Sequence, residues 1–126
     1  MNWQKVYEKT AKEFAEKVIK RLDGSIDSII VYGSVARGNA RKDSDIDILI
    51  ISKKGRKIEN EVLNAGYDID LKNKTVTTHI YLTPKDLERE KKFGSFFTHD
   101  VLTQGRVLYD NGTFKRIREK AFRTGR

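Results

Sequence analysis

Two short apolar segments constrain the fold of this chain more than any other feature. Residues 26–32 and 46–51 each predict a β-strand, and Gly33 breaks the first one. The second strand opens with the alternating sequence Asp45-Ile46-Asp47-Ile48, so its two carboxylates share one face. The isoleucines are expected to face packed helices, and the aspartates are expected to lie on the open side of a sheet.

The remaining segments predict several helices and two further strands. Helical spacing of apolar residues predicts an amphipathic helix over residues 3–22, and residues 57–72, 95–104 and 114–122 also favour helices. Pro84 suits the first turn of another helix. Residues 76–82 predict a third strand, and residues 106–109 predict a short edge strand. This order predicts an α/β (α+β) fold, a small mixed β-sheet with helices on one face.

The domain organisation follows from length and pattern. Residues 1–126 are expected to form a single domain, because a chain of this size can bury a substantial core. That core covers about residues 26–109. An N-terminal helix over residues 3–22 and a basic C-terminal helix over residues 114–126 flank it.

The composition excludes several classes of protein. Hydrophobic residues make up 37% of the chain and charged residues 35%, a balance typical of soluble domains. There is no cysteine, which excludes disulfides and thiolate zinc sites. No segment has the roughly 18 apolar residues of a membrane span, and charged residues replace the apolar core of a signal peptide. A cytoplasmic protein without membrane association is therefore expected.

Most of the excess positive charge lies at the C-terminal end. The net charge is +8, and residues 114–126 contain six basic residues and one acidic residue. This segment is either the solvated side of a helix or a contact for a phosphate-rich or acidic partner.

The segment between the first two strands combines features that suit phosphate chemistry. Gly33 permits a sharp turn and a close approach of the backbone to a ligand. Ser34 offers a hydroxyl and an N–H group where a helix could begin, which favours phosphate oxygens. Further positive charge lies nearby, at Arg37, Arg41 and Lys42.

Asp45 and Asp47 provide the opposite charge. Two carboxylates on one strand face repel each other unless a cation neutralises them. Mg²⁺ typically binds one or two carboxylates together with the phosphates of a substrate. The two aspartates are therefore candidate metal ligands.

At these residues the sequence resembles the nucleotidyltransferase superfamily related to DNA polymerase β. The signature is Gly-Ser, ten residues and Asp-x-Asp, here Gly33-Ser34 and Asp45-Ile46-Asp47. The resemblance implies a polymerase β-like nucleotidyltransferase fold and transfer of a nucleotidyl group from an NTP to a hydroxyl, with release of pyrophosphate. It implies that the two aspartates are catalytic and hold Mg²⁺ or Mn²⁺. The glycine and the serine would hold the β and γ phosphates.

The short chain is similar to the minimal nucleotidyltransferases. Such proteins often pair with small helical HEPN proteins in toxin–antitoxin modules, where the transferase silences its partner by adding AMP. The resemblance therefore implies ATP as the NTP and a HEPN-type protein as a partner. Arg37 and Lys42 would stabilise the charge of the triphosphate.

The chain departs from the superfamily at the third carboxylate, which full members carry on a later strand. The predicted buried side of the strand over residues 76–82 is Val76, Thr78, Ile80 and Leu82. No carboxylate occurs on the predicted open side, which consists of Thr75, Thr77, His79 and Tyr81. Three accounts stay open: Asp68 or Asp70 supplies the ligand, His79 acts as a base or ligand, or the domain binds nucleotide with little or no catalysis.

Three functions are consistent with these features. The first is a metal-dependent nucleotidyltransferase that acts on a protein or small-molecule hydroxyl. The second is a catalytically weak nucleotide-binding module that neutralises a partner by binding it. The third is an RNA-directed nucleotidyltransferase, which the basic tail favours although the chain has no recognisable RNA-binding motif.

Overall fold

The computed structural model, which describes residues 1–93 and 95–124, is built around a four-stranded sheet. The strands are β1 (Ser28–Tyr32), β2 (Ile46–Ile51), β3 (Thr77–Leu82) and β4 (Arg106–Asp110), in the order β3-β2-β1-β4. Strand β1 is antiparallel to both β2 and β4, whereas β2 and β3 are parallel. The predicted α/β fold with a small mixed sheet is confirmed.

Six α-helices surround the sheet in the described part of the chain. They are α1 (Trp3–Arg21), α2 (Gly33–Arg37), α3 (Glu59–Asn73), α4 (Pro84–Phe93), α5 (Phe96–Gln104) and α6 (Thr113–Thr124), and a 3-10 helix, Gly55–Ile58, precedes α3. The predicted helices are confirmed with small changes at their ends. Residues 125 and 126 of the predicted basic helix lie outside the described residues. Within residues 1–93 and 95–124, no helix has the length and apolar character needed to cross a membrane.

The helices pack on both faces of the sheet, so the prediction that they cover one face is wrong. Helices α1 and α3 cover the face that includes Ile48 and Ile50. Helices α4, α5 and α6 cover the opposite face, where Ile30, Leu49 and Ile51 are buried. The reason lies in β1 and β2, which are buried at nearly every position and therefore need apolar partners on both sides.

An internal glycine allows α3 to approach α1 closely. A Cβ atom at Gly66 would lie 2.7 Å from Cε1 of Phe14. Burial of Phe14, Val62 and Ala65 at this contact compensates for the low helix propensity of glycine. The helix predicted here therefore forms despite Gly66.

The core side of β3 is opposite to the side that the sequence predicts. Val76 and Ile80 are expected in the core, yet their exposed fractions are 58% and 37%, while Tyr81 is 7% exposed. Strand β3 lies at the edge of the sheet, and helices α1 and α3 cover its Tyr81 side. From the other side of β3, only Leu82 reaches the core under α4, α5 and α6.

Candidate active site

The turn after β1 brings two parts of the predicted motif into contact. Gly33 has a φ of +76°, a left-handed conformation that favours glycine, and α2 begins at this residue. A Cβ atom at Gly33 would overlap with Oδ2 of Asp47. The backbone conformation and the nearness of Asp47 therefore both require glycine here.

Asp47 is held beside this turn by the neighbouring strand. Its Oδ1 accepts a hydrogen bond of 2.8 Å from the Thr78 hydroxyl on β3. Asp45 directly precedes β2 and is exposed. The alternation of β2 directs both aspartates away from Ile46 and Ile48, which pack against α1 and α3. The two carboxylates therefore share one face of the sheet.

The start of α2 leaves polar groups available next to Asp47. Tyr32 precedes the helix in an extended conformation, and no side chain caps the helix start. The Ser34 hydroxyl has no hydrogen-bond partner within residues 1–93 and 95–124. Free N–H and hydroxyl donors of this kind can bind phosphate oxygens.

Two further residues lie near the aspartates, Tyr32 and Asp100. Neither belongs to the motif predicted from the sequence. Tyr32 is opposite Asp47 in the register of β1 and β2, so strand pairing could have indicated it. Burial, together with the negative charges of Asp47 and Asp100, raises the pKa of Tyr32 to about 12. Its hydroxyl therefore stays protonated at neutral pH. Asp100 lies on α5, and only tertiary packing brings it here.

The two predicted phosphate-stabilising cations have different surroundings. The Arg37 guanidinium forms a 3.4 Å ion pair with Asp100. Lys42 lies in the turn before β2, where it is exposed and forms no ion pair with the described residues.

Residues 11–104 match the protein family described as Nucleotidyltransferase domain. The matched range contains the turn, both aspartates and three of the four strands. The chain belongs to this family. It is a nucleotidyltransferase enzyme that moves a nucleotidyl group from an NTP.

Two proteins of Methanocaldococcus jannaschii that are named protein adenylyltransferases are similar to this nucleotidyltransferase. One is 36% identical over 106 residues, which cover 81% of this chain and 97% of the relative. The other is 30% identical over 121 residues, which cover 88% of this chain and 77% of the relative. A solved structure described as a toxin–antitoxin with AMP-PNP has a TM-score of 0.59 at 14% identity, covering 90% of this chain and 86% of that chain. At this identity the likeness concerns the fold alone.

The nucleotidyltransferase places His79 on the opposite side of the sheet from its aspartates, so the prediction that they share a face is wrong. Strand pairing joins His79 to Ile48, and its ring stacks on Phe14 of α1 with 4.9 Å between centroids. The ring nitrogens lie 2.9 Å from Oγ1 of Thr77 and 3.3 Å from the Tyr81 hydroxyl. The physical reason is that the core side of β3 is opposite to the side that the sequence predicts.

The surroundings of His79 favour its neutral form. Burial lowers the pKa of His79, and the negative charges of Asp70 and Glu59 oppose this effect. A neutral imidazole between two hydroxyl groups contributes to the packing of β3 against α1. It lies on the opposite side of the sheet from Asp47.

The two upstream aspartates of the nucleotidyltransferase are on α3, as the helix prediction requires. Asp70 accepts hydrogen bonds of 2.7 Å from the hydroxyls of Thr75 and Thr77, and so fixes the turn between α3 and β3. Asp68 forms an exposed ion pair of 3.4 Å with Lys17. Neither carboxylate therefore completes the site at Asp47.

The donor set at Asp45 and Asp47 suits a divalent cation that binds together with its substrate. Within residues 1–93 and 95–124, no group of three or more His, Asp or Glu side chains is arranged to hold a metal ion. On β3, the position beside Asp47 belongs to Thr78. Two carboxylates with phosphate and water oxygens are a ligand set that Mg²⁺ accepts.

Proposed function

We propose that this nucleotidyltransferase transfers AMP from ATP to a hydroxyl of a partner protein and releases pyrophosphate. The contact between the Gly33 turn and Asp47 carries this proposal, because it joins a phosphate-binding turn to a metal-binding carboxylate. The names of the two similar M. jannaschii proteins support AMP as the transferred group and a protein as the acceptor.

In this proposal Asp45 and Asp47 hold Mg²⁺ or Mn²⁺, which neutralises charge on the triphosphate when bound. The Gly33-Ser34 turn binds the β and γ phosphates through its N–H groups and the serine hydroxyl. Lys42 adds positive charge from the solvent side.

In the proposed mechanism Arg37 changes its partner when the triphosphate binds. In the ligand-free chain its guanidinium contacts Asp100 at 3.4 Å. A triphosphate bound at α2 carries more negative charge than one carboxylate. Arg37 therefore exchanges Asp100 for a phosphate oxygen when the triphosphate binds.

The reaction balances without a further reagent. The acceptor oxygen forms a bond to the α-phosphorus, and the bond from that phosphorus to the bridging oxygen of pyrophosphate breaks. The hydroxyl proton passes to solvent, which reaches the exposed Asp45. Tyr32 does not take this proton, because its pKa is raised to about 12 and its hydroxyl is already protonated.

The partner proposed for this transfer is a HEPN-type toxin in a toxin–antitoxin pair. The shared fold with a structure described as a toxin–antitoxin with AMP-PNP supports this choice. An RNA acceptor is the alternative, and the exposed basic residues of α6, among them Lys115 and Arg116, support it.

Transfer of label from α-labelled ATP tests the proposed function. The product of the adjacent gene and total RNA are offered as acceptors, each with Mg²⁺ and with a chelator. We expect label on the protein with Mg²⁺ only, and a loss of at least about a hundredfold in Asp45→Asn. Asp68→Asn, an exposed aspartate on α3, is the matched control and should transfer like the unaltered chain.

Three outcomes would change the proposal. Label that persists with the chelator would remove the metal from the mechanism. Unchanged transfer in Asp45→Asn would remove this aspartate from the metal site. Label on RNA but not on the protein would establish the RNA-directed alternative.

A further inference from the structure

Strand β4 offers an edge to which another extended chain can bind. It pairs with β1 on one side, and in the described part of the chain no strand pairs with its other side. An unpaired edge presents backbone N–H and C=O groups in the geometry that a further strand needs. The charged side chains of β4, Arg106 and Asp110, lie at its two ends, and its central residues include no proline or charge. A β-bulge at Leu108 interrupts the regular pairing of β4 with β1, so an added strand must follow this irregularity.

A groove runs beside this edge, between β4 and α1. A cavity of about 500 Å³ lies at the start of both elements and is lined by residues such as Lys5, Lys9, Arg106 and Leu108. A second hollow of about 680 Å³ continues the groove toward Lys20 and Tyr109. The helix and the strand therefore run side by side in the same direction, and the groove follows β4 from Arg106 to Tyr109.

The helix side of the groove is basic. Lys5, Lys9, Lys12 and Lys20 are exposed and form no ion pair with the described residues. Their spacing along α1 directs them to one side of the helix. Glu16 is the opposing charge, so the groove keeps an excess of positive charge.

The other acidic residue of the groove, Glu8, is already engaged. Its Oε2 accepts hydrogen bonds of 2.8 Å from Gln4 and 3.1 Å from Arg106. The hydrogen bond from Gln4, together with that from Arg106 and the nearby positive charge, lowers the pKa of Glu8 although desolvation opposes this. Glu8 therefore offsets the charge of Arg106 and leaves the lysines to attract a partner.

The floor of the groove is apolar, and its length is that of a short strand. Buried Ala11, Val31 and Val35 line it, whereas Val107, which pairs with Ile30, lies on the other face of β4 and is 43% exposed. A five-residue strand extends about 17 Å, and the row of lysines along α1 extends roughly 22 Å from first to last. A segment of about six residues fits along this edge, with alternate side chains toward the lysines of α1 and toward the opposite face of the sheet.

We propose that this groove binds an extended acidic peptide segment of a partner protein, which adds a fifth strand to the sheet along β4. The lysines of α1 contact its carboxylates, and its alternate apolar side chains point to the opposite face of the sheet and cover Val107 there. An RNA strand could use the lysines, but it has no backbone that matches the edge of β4. This inference does not rest on the proposed transfer reaction, because the groove lies outside the turn and the aspartates.

Binding of a synthetic peptide to the full chain tests the proposal. The probe is a fluorescent peptide of about eight residues in which glutamate and valine alternate, read by anisotropy without ATP or metal. Two further peptides carry N-methyl groups on one or the other alternate set of residues, which removes backbone donors but keeps the charge. We expect one of these to bind at least about tenfold more weakly than the parent peptide.

Variants of the protein locate the same binding site. Lys9→Glu with Lys12→Glu should weaken peptide binding by at least about tenfold. Lys53→Glu with Lys57→Glu, on the exposed loop after β2, is the matched control with the same change of charge and should bind normally. Bound peptide should also slow hydrogen exchange of the amides of Arg106–Asp110.

Several results would overturn the proposal. Equal binding of the parent peptide and both methylated forms would mean attraction by charge alone, and this comparison needs no protein variant to fold. Unchanged exchange in β4 would place the peptide elsewhere. Tighter binding of a short single-stranded RNA, lost in the Lys9→Glu and Lys12→Glu variant, would assign the groove to nucleic acid.

Discussion

At the end of the sheet next to the Gly33 turn, the two faces of β2 and β3 differ, and residues on opposite faces are neighbours along each strand. Further along β2, helices α4, α5 and α6 cover the face of Asp47 at Leu49 and Ile51. Asp47 and Thr78 point toward the turn that follows β1, where Gly33 touches the carboxylate. Their chain neighbours Ile48 and His79 point the other way and pack against helix α1. The side of Asp47 and Thr78 at this end, here called the open face, has a carboxylate oxygen without a hydrogen bond to the described residues. The side of Ile48 and His79, here called the closed face, has the His79 ring stacked on Phe14.

This difference teaches that residue type does not decide which polar group is functional. Histidine is ordinarily a good base near neutral pH, yet both ring nitrogens of His79 are engaged by the hydroxyls of Thr77 and Tyr81. Asp47 has one oxygen on Thr78, and its other oxygen has no hydrogen bond within the described residues. The two faces therefore differ in whether a polar atom is free to bind a ligand, and not in how basic the polar group is.

The largest effect is expected from Asp47→Asn, on the open face. AMP transfer should fall by at least about a hundredfold, because the neutral amide is a poor ligand for the cation. The midpoint of thermal unfolding should stay the same or rise, because the change removes repulsion from Asp45 and the amide oxygen can still accept from Thr78. Labelled transfer and thermal melts without metal measure both quantities. A large loss of stability would instead make Asp47 a structural residue.

On the closed face, His79→Ala should lower stability and leave transfer unchanged. Loss of the ring that stacks on Phe14, with its hydrogen bonds, should lower the free energy of unfolding by about 2–3 kcal/mol. Transfer per folded molecule should not change, because His79 lies on the other side of the sheet from Asp47. His99→Ala, at an exposed histidine of α5, is the matched control for both measurements. Slow transfer at unaltered stability would return His79 to the mechanism as a base.

Local sequence predicted the placement of the two aspartates well, for physical reasons. The alternation of Asp45-Ile46-Asp47-Ile48 separates the aspartates from the isoleucines, and β2 has the predicted bounds, although Leu49 and Ile51 are buried on the aspartate side. Gly33 at the end of an apolar strand predicted a turn, and the turn has the positive φ that only glycine adopts easily. Both features depend on residues close in sequence.

The closed face could not be predicted in the same way. In β3, apolar residues occur on both sides, with Ile80 and Leu82 on one and Tyr81 on the other, so alternation does not identify the core side. The answer depends on Phe14, which is distant in sequence and reaches His79 only after α1 has packed. Asp100 could not be predicted for the same reason, because the packing of α5 brings it next to Arg37.

A smaller effect should separate two glycines with the same backbone conformation. Gly33 and Gly38 have φ values of 76° and 79°, so alanine at either position costs about 1–2 kcal/mol of stability. Only at Gly33 would the new Cβ overlap with Asp47, since a Cβ at Gly38 has no atom within 4 Å. Gly33→Ala should therefore also reduce transfer by about tenfold, through a displaced carboxylate. Equal transfer rates in the two variants would mean that the contact with Asp47 does not matter.

The smallest expected effect is a dependence of stability on pH, which comes from His79 on the closed face. Burial lowers the pKa of His79 from its ordinary value of 6.5, so folding favours the neutral ring. Its stabilising contribution is therefore complete above about pH 6.5 and is lost as the pH falls through the lower pKa of the folded chain. Carboxylates with lowered pKa values, such as Asp86 and Asp110, follow the same direction only at more acidic pH.

Thermal melts between about pH 7.5 and pH 5.5 isolate this contribution from the carboxylates, which have ordinary pKa values near 4. The unaltered chain should lose stability over this range, and His79→Gln should lose less, because glutamine cannot become charged. His99→Gln removes the exposed histidine and should keep the slope of the unaltered chain. If His79→Gln kept that slope too, burial of the His79 ring would not control the pH dependence. The closed face would then tolerate a charge, and the contrast between the two faces would rest on packing alone.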